Sequence, residues 1–214
     1  MREVFWSLMG SLVAFAGWRG AARTSEYLRA TGPVWGEAHV SPRRSVAGAC
    51  MSLGMVVAFL AARQLGEIAM VATLVMIAVS TRISLVDIDT HVIPGGAMML
   101  GWFGGLPLLA LATAVGDGTV RGMALGAGIA WVLLAFVHLL SRGDMGAGDV
   151  ALGSLLGAHA GWVSWETSLL GLFWALVMGG AVGAGLLATR RISRRTFVPF
   201  GPFLVTGAWI AVLR

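Results

Sequence analysis

Hydrophobic positions along this chain run in long blocks separated by short polar breaks. The apolar stretches fall near 4–20, 45–62, 68–86, 93–115, 122–140, 149–163, 167–188 and 198–213. Most approach the ~20 residues that an α-helix rising 1.5 Å per residue needs to cross a bilayer. The pattern predicts an all-α, polytopic bundle of about eight transmembrane helices, forming a single domain over 1–214. The sixth stretch is short and glycine-rich. The first, Val4 to Trp18, has the length of a signal-peptide core, but Arg2 is offset by Glu3 and no small-residue cleavage site follows, so it reads as a retained span.

Composition agrees with that reading. Hydrophobic residues make up 57% of the 214, charged residues 12%, and mean hydropathy is +0.84. A soluble domain carries about 25% charged residues. The net charge of +5 comes entirely from arginine, there being no lysine. Those arginines sit between apolar runs: Arg19, Arg23, Arg29, Arg43 and Arg44 in 19–44, Arg142 in 141–148, and Arg190, Arg191, Arg194 and Arg195 in 189–197. By the positive-inside rule these three segments face the cytoplasm. Alternation then places 87–92 on the same side, and 63–67, 116–121, 164–166 and both termini opposite. The segment 19–44 reads as a cytoplasmic loop with room for a short surface helix. The 190–195 cluster fits contact with anionic lipid head groups; no aromatic residues alternate with its arginines, which argues against nucleic acid.

Candidate chemistry lies where polar turns meet apolar runs. VDIDTHVIPGG (86–96) puts Asp87 at the end of one run, and GDMGAGDVALGSLLGAHAGW (143–162) puts Asp149 at the start of another. Ionisable groups at the edge of hydrocarbon are costly and mark function by default. The alternation puts both acids at one membrane face, where two carboxylates can work together as acid and base. Gly146 and Gly148 clear side chains from beside Asp149 and leave room for an extended peptide; the structural alternative makes Asp149 a helix N-cap. Asp89 and Asp144 lie further into the polar loops and read as solvated. Arg82 reads as snorkelling to the cytoplasmic face, with pairing to an acid as the alternative.

The remaining polar candidates read as structural. Cys50 is a lone packing cysteine, and no disulfide is available. His91, His138 and His159 show no metal-ligand spacing, so no metal or cofactor is expected; His138 and His159 read as hydrogen-bonded interior histidines. Glycines in LGAGIA (125–130) and MGGAVGAG (178–185) read as close helix contacts. Ser84 and Ser154 have no evident base partner.

Three blocks together resemble the type IV prepilin peptidases, the GxGD class of membrane aspartic proteases. VDIDTHVIP (86–94) is similar to the family's aspartate with its Ile-Pro pair. MGAGDVALGSLLGAHAGW (145–162) is similar to the GxGD block, and VPFGPFLVTGAW (198–209) to the entry of the last span. The blocks occur in the family's order, with the aspartates 62 positions apart (149 − 87). The resemblance implies cleavage of the short basic leader of prepilin-like precursors at the cytoplasmic face of the bacterial inner membrane. Asp87 and Asp149 would form the catalytic dyad, with Gly146 and Gly148 beside the substrate. Two positions depart from the pattern: Ala151 stands where the family usually has lysine, and Gly95 where it often has an acid. Bifunctional members also carry a cysteine-paired cytoplasmic insert and methylate the new N-terminus; with one cysteine, this chain is expected to act as a peptidase only. Two other classes stay open: a proton-coupled transporter, and an inactive structural subunit of a pilus or secretion assembly.

Overall fold

The computed structural model describes residues 1–31, 44–141, 145–190 and 198–214. Among these, the chain forms eight helices and no strand: α1 (Arg2–Thr31), α2 (Arg44–Ala62), α3 (Glu67–Thr90), α4 (Gly95–Thr113), α5 (Val120–Leu140), α6 (Ala147–Val163), α7 (Trp165–Ala188) and α8 (Gly201–Val212). The all-α expectation is met, and each helix covers one predicted apolar run. Four of them, α3, α4, α5 and α7, are long and apolar enough to cross a membrane, while the apolar part of α2 (Val46–Ala62) and α8 are shorter. The chain is a multi-pass membrane protein.

Two expectations about boundaries change. α1 continues to Thr31, so residues 19–31 of the predicted loop are helical; no proline or glycine pair interrupts them, and their arginines are good helix formers. The rest of that loop, including Glu37 and Arg43, lies outside the described residues, as do Arg142, Asp144, Arg191, Arg194 and Arg195. α3 runs on to Thr90 and so takes Asp87 and Asp89 into helix. Within α4, Gly101–Gly105 forms a π-helical turn just before Pro107. Proline cannot donate the regular backbone hydrogen bond, and a wider turn absorbs that loss.

The helices form two compact units, Met1–Arg121 and Gly122–Val212. In the first, α1 lies between α2 and α3. Gly10 and Gly54 let α1 and α2 approach until an added methyl on Gly54 would touch Ala14 Cβ at 2.5 Å. Gly17 does the same against the Ala78 carbonyl of α3. One end is clamped by Arg2, which bonds Glu67 and the carbonyls of Ala62 and Leu65, with Trp6 Nε1 donating to Glu67 Oε2 at 3.1 Å. The other end is clamped by the Arg29–Asp89 ion pair. α1 and α3 therefore run parallel, antiparallel to α2. Gly66, before α3, abuts the Asp117 carboxylate after α4, so the turns predicted to share the outer face lie at one end of this unit.

In the second unit, small residues again set the spacing. α5 and α6 cross through Gly122, Gly126 and Ala130 against Gly157 and Gly161, as lipid-embedded helices do when small side chains allow close approach. Ser168 of α7 donates to the Gly126 carbonyl at 3.2 Å. α7 and α8 meet through Gly171, Ala175, Gly207 and Ala208. The packing role expected of LGAGIA holds for Gly126, whereas Gly128 faces open space. In MGGAVGAG a methyl added at Gly179 would press on Phe200, whereas one at Gly180, Gly183 or Gly185 would meet nothing within 4 Å among the described residues.

Candidate functional site

Asp87 stands in the last turn of α3. The helix stops because His91 turns left-handed, with φ 55°, and donates its backbone N–H to the Asp87 carbonyl at 2.8 Å. Thr90 Oγ1 returns its hydroxyl to the Val86 carbonyl, and Pro94 then opens α4. Asp87 is 5% exposed and Asp89 3%. A buried acid at a helix C-terminus opposes the macrodipole, so neither carboxylate is there for helix stability.

Asp89 corrects the sequence reading, which had it solvated. The extra helical turn carries it inward, where Oδ1 accepts a hydrogen bond from Nη2 of Arg29. Arg82 likewise does not snorkel free. It lies along Gly20 and donates to Thr24 Oγ1 at 2.8 Å, inside the α1–α3 contact. Arg29 had seemed only a topology charge. Its register against Asp89 became legible once α1 extended to Thr31.

Asp149 stands in the first turn of α6. Gly146 is the N-cap residue, extended at ψ 142°, and its carbonyl accepts from the Asp149 N–H at 3.0 Å. This replaces the alternative in which Asp149 itself caps the helix. An acid in the first turn is favoured by the dipole. Gly146, Ala147 and Gly148 are exposed while Asp149 is half-buried. A methyl added at Gly146 would stand 3.4 Å from Asp149 Oδ2, so the surface beside the carboxylate is bare backbone.

The approach to this turn is held by a residue whose role the sequence did not disclose. His138, near the end of α5, bonds through Nδ1 to the Met145 carbonyl at 2.5 Å. Ser141 donates to the His138 carbonyl and accepts from the Met145 N–H at 3.2 Å. Hydrogen bonding by His138 was expected. Its use one residue ahead of the Gly146 cap was not.

The other candidates fall elsewhere. His159 is buried in α6, edge-on to Trp209 with ring centroids 5.3 Å apart, and neither ring nitrogen has a hydrogen-bond partner, contrary to expectation. Ser154 donates to the Ala127 carbonyl at 3.3 Å. Cys50 is half-buried on α2. Among the described residues no three His, Cys, Asp or Glu side chains are grouped to hold a metal.

Similarity to characterised proteins runs in one direction. A prepilin leader peptidase/N-methyltransferase of Aeromonas hydrophila is 32% identical over 145 residues, 66% of this chain and 49% of that relative. This similarity supports a member of the prepilin peptidase family. The family relative from Pseudomonas putida is 35% identical over 133 residues, 61% of this chain and 45% of its own length. That from Bacillus subtilis is 27% identical over 141 residues, 65% and 54% respectively. The chain thus spans about half the length of these prepilin peptidase relatives. No family model matches the chain, and no solved structure matches it.

Proposed function

We propose that this chain is a membrane aspartic endopeptidase that removes the leader of prepilin-like precursors at the cytoplasmic face of the inner membrane, with Asp87 and Asp149 as its catalytic pair. The observation that carries the reading is Asp87: a carboxylate 5% exposed at the end of an apolar helix, against the helix dipole, in a chain related to leader peptidases. Asp149 supports it with an exposed glycine backbone on its N-terminal side, where an extended peptide can lie without meeting side chains.

The chemistry follows from two carboxylates sharing one proton. The ionised member takes a proton from water as its oxygen attacks the scissile carbonyl, and the protonated member donates a hydrogen bond to that carbonyl oxygen. As the C–N bond breaks, the pair returns a proton to the leaving amine. No covalent intermediate forms and no cofactor takes part. The reading assigns peptidase activity without methyl transfer, supported by the single Cys50. The carrier and inactive-subunit readings draw no support from relatives whose names state peptidase activity.

Mass spectrometry of a prepilin-like precursor, co-expressed with wild type, Asp87→Asn or Asp149→Asn, tests this. The expected result is a shortened, unmethylated precursor with wild type and intact precursor with either variant, all three inserting in the membrane equally. Substantial cleavage by both asparagine variants would overturn the aspartic mechanism.

A further inference from the structure

Asp89 has an incomplete set of partners. Its carboxylate is nine-tenths buried, yet only Oδ1 is engaged, by Nη2 of Arg29, while Oδ2 is buried without a donor. A carboxylate offers about four lone-pair sites, and leaving an oxygen unfilled in a dry setting is costly. Arg29 makes a one-nitrogen contact although a guanidinium can fill both oxygens at once. Its side chain is 34% exposed and belongs to the last turn of α1, so it is the looser half of the pair. The negative end of the α3 dipole adds to the local preference for a cation. His91 Nδ1, two residues on, is a second buried polar atom without a partner at this helix end.

We propose that Asp89 is the binding carboxylate for a cationic side chain, lysine or arginine, of the polypeptide substrate, and that Arg29 is a placeholder displaced when the substrate arrives. This rests on the peptidase reading for the ligand being a polypeptide, and it adds a residue that sets specificity. Asp89 lies two residues beyond Asp87, about 3 Å further along the axis and on nearly the opposite face of α3. A peptide anchored there reaches the proposed catalytic carboxylate around the end of the helix, which stops at Thr90.

The test uses the full chain in lipid nanodiscs, carrying Asp149→Asn so that peptide is not consumed. Two labelled synthetic peptides share an apolar segment. One has lysine and arginine in its polar N-terminal part, and the other has glutamine at those positions. The parent binds the basic peptide more tightly. Asp89→Asn loses about tenfold in affinity for it and less than about twofold for the glutamine peptide. Arg29→Gln binds the basic peptide at least as tightly as the parent. Equal weakening by both substitutions, or equal binding of the two peptides by the parent, would overturn the proposal. If Asp89→Asn fails to fold, Arg29→Gln decides: weaker binding of the basic peptide refutes the placeholder. Cleavage of the basic peptide by wild type is followed in parallel. Charge-selective binding without cleavage would count against the peptidase reading and leave the Asp89 assignment standing.

Discussion

Asp87 and Asp149 occupy opposite kinds of helix end. The first sits where the macrodipole is negative, the second where it is positive. The two members of the proposed pair therefore stand in unlike surroundings. His138 is the supporting residue that follows from the geometry. Its bond to the Met145 carbonyl fixes the chain one residue before the Gly146 cap, so its loss should disturb the placement of Asp149 more than the stability of the fold. His138→Ala is expected to lower the cleavage rate about fivefold, the equivalent of one hydrogen bond of about 1 kcal/mol, while KM changes little. Steady-state cleavage kinetics check this, and His138→Asn, which keeps a donor, should restore part of the rate. A rate drop matched by a proportional fall in melting temperature would make the contact merely structural.

The helices are spaced by glycine, and Gly157 of α6 and Gly128 of α5 separate packing from filler. A methyl on Gly157 would meet the Gly126 carbonyl at 2.5 Å and Ala130 Cβ at 2.6 Å, whereas one on Gly128 meets nothing. Gly157→Leu should destabilise by about 1–3 kcal/mol through overpacking, and Gly128→Ala should stay within about 0.5 kcal/mol of wild type. Thermal unfolding in detergent measures both. Element positions were readable from hydropathy alone because each span is one continuous apolar run. Element ends were not. Arg19, Arg23 and Arg29 looked like loop charges, yet arginine is as much at home in a helix as outside one, and only packing against α3 decides. For the same reason Asp89 was read as solvated. Its burial depends on one further turn of α3 and on Arg29, sixty positions away in the chain. The candidate residues could be picked out because their chemistry stands out against apolar surroundings. Their partners were not, since those are set by the register between helices.

At the scale of the molecule, two ion pairs bracket the first unit. Glu67 and Asp89 are 22 residues apart on α3, about 33 Å of helix, close to the ~30 Å hydrocarbon thickness of a bilayer. The two clamps are thus spaced about as far apart as the two edges of a bilayer. In a Cys50→Ser background, Asp117→Cys should react with an impermeant maleimide from outside intact cells, and Gly95→Cys only in inverted vesicles. Labelling of both from the same side would invert or break the topology. The central claim is that the carboxylates of Asp87 and Asp149 work as one pair. Its most direct measurement is cross-linking of Asp87→Cys to Asp149→Cys in native membranes, in the Cys50→Ser background, with a short bifunctional thiol reagent. The account predicts an intramolecular cross-link in the double variant and none in either single variant. Two cysteines that each accept a monofunctional label but never join would contradict it.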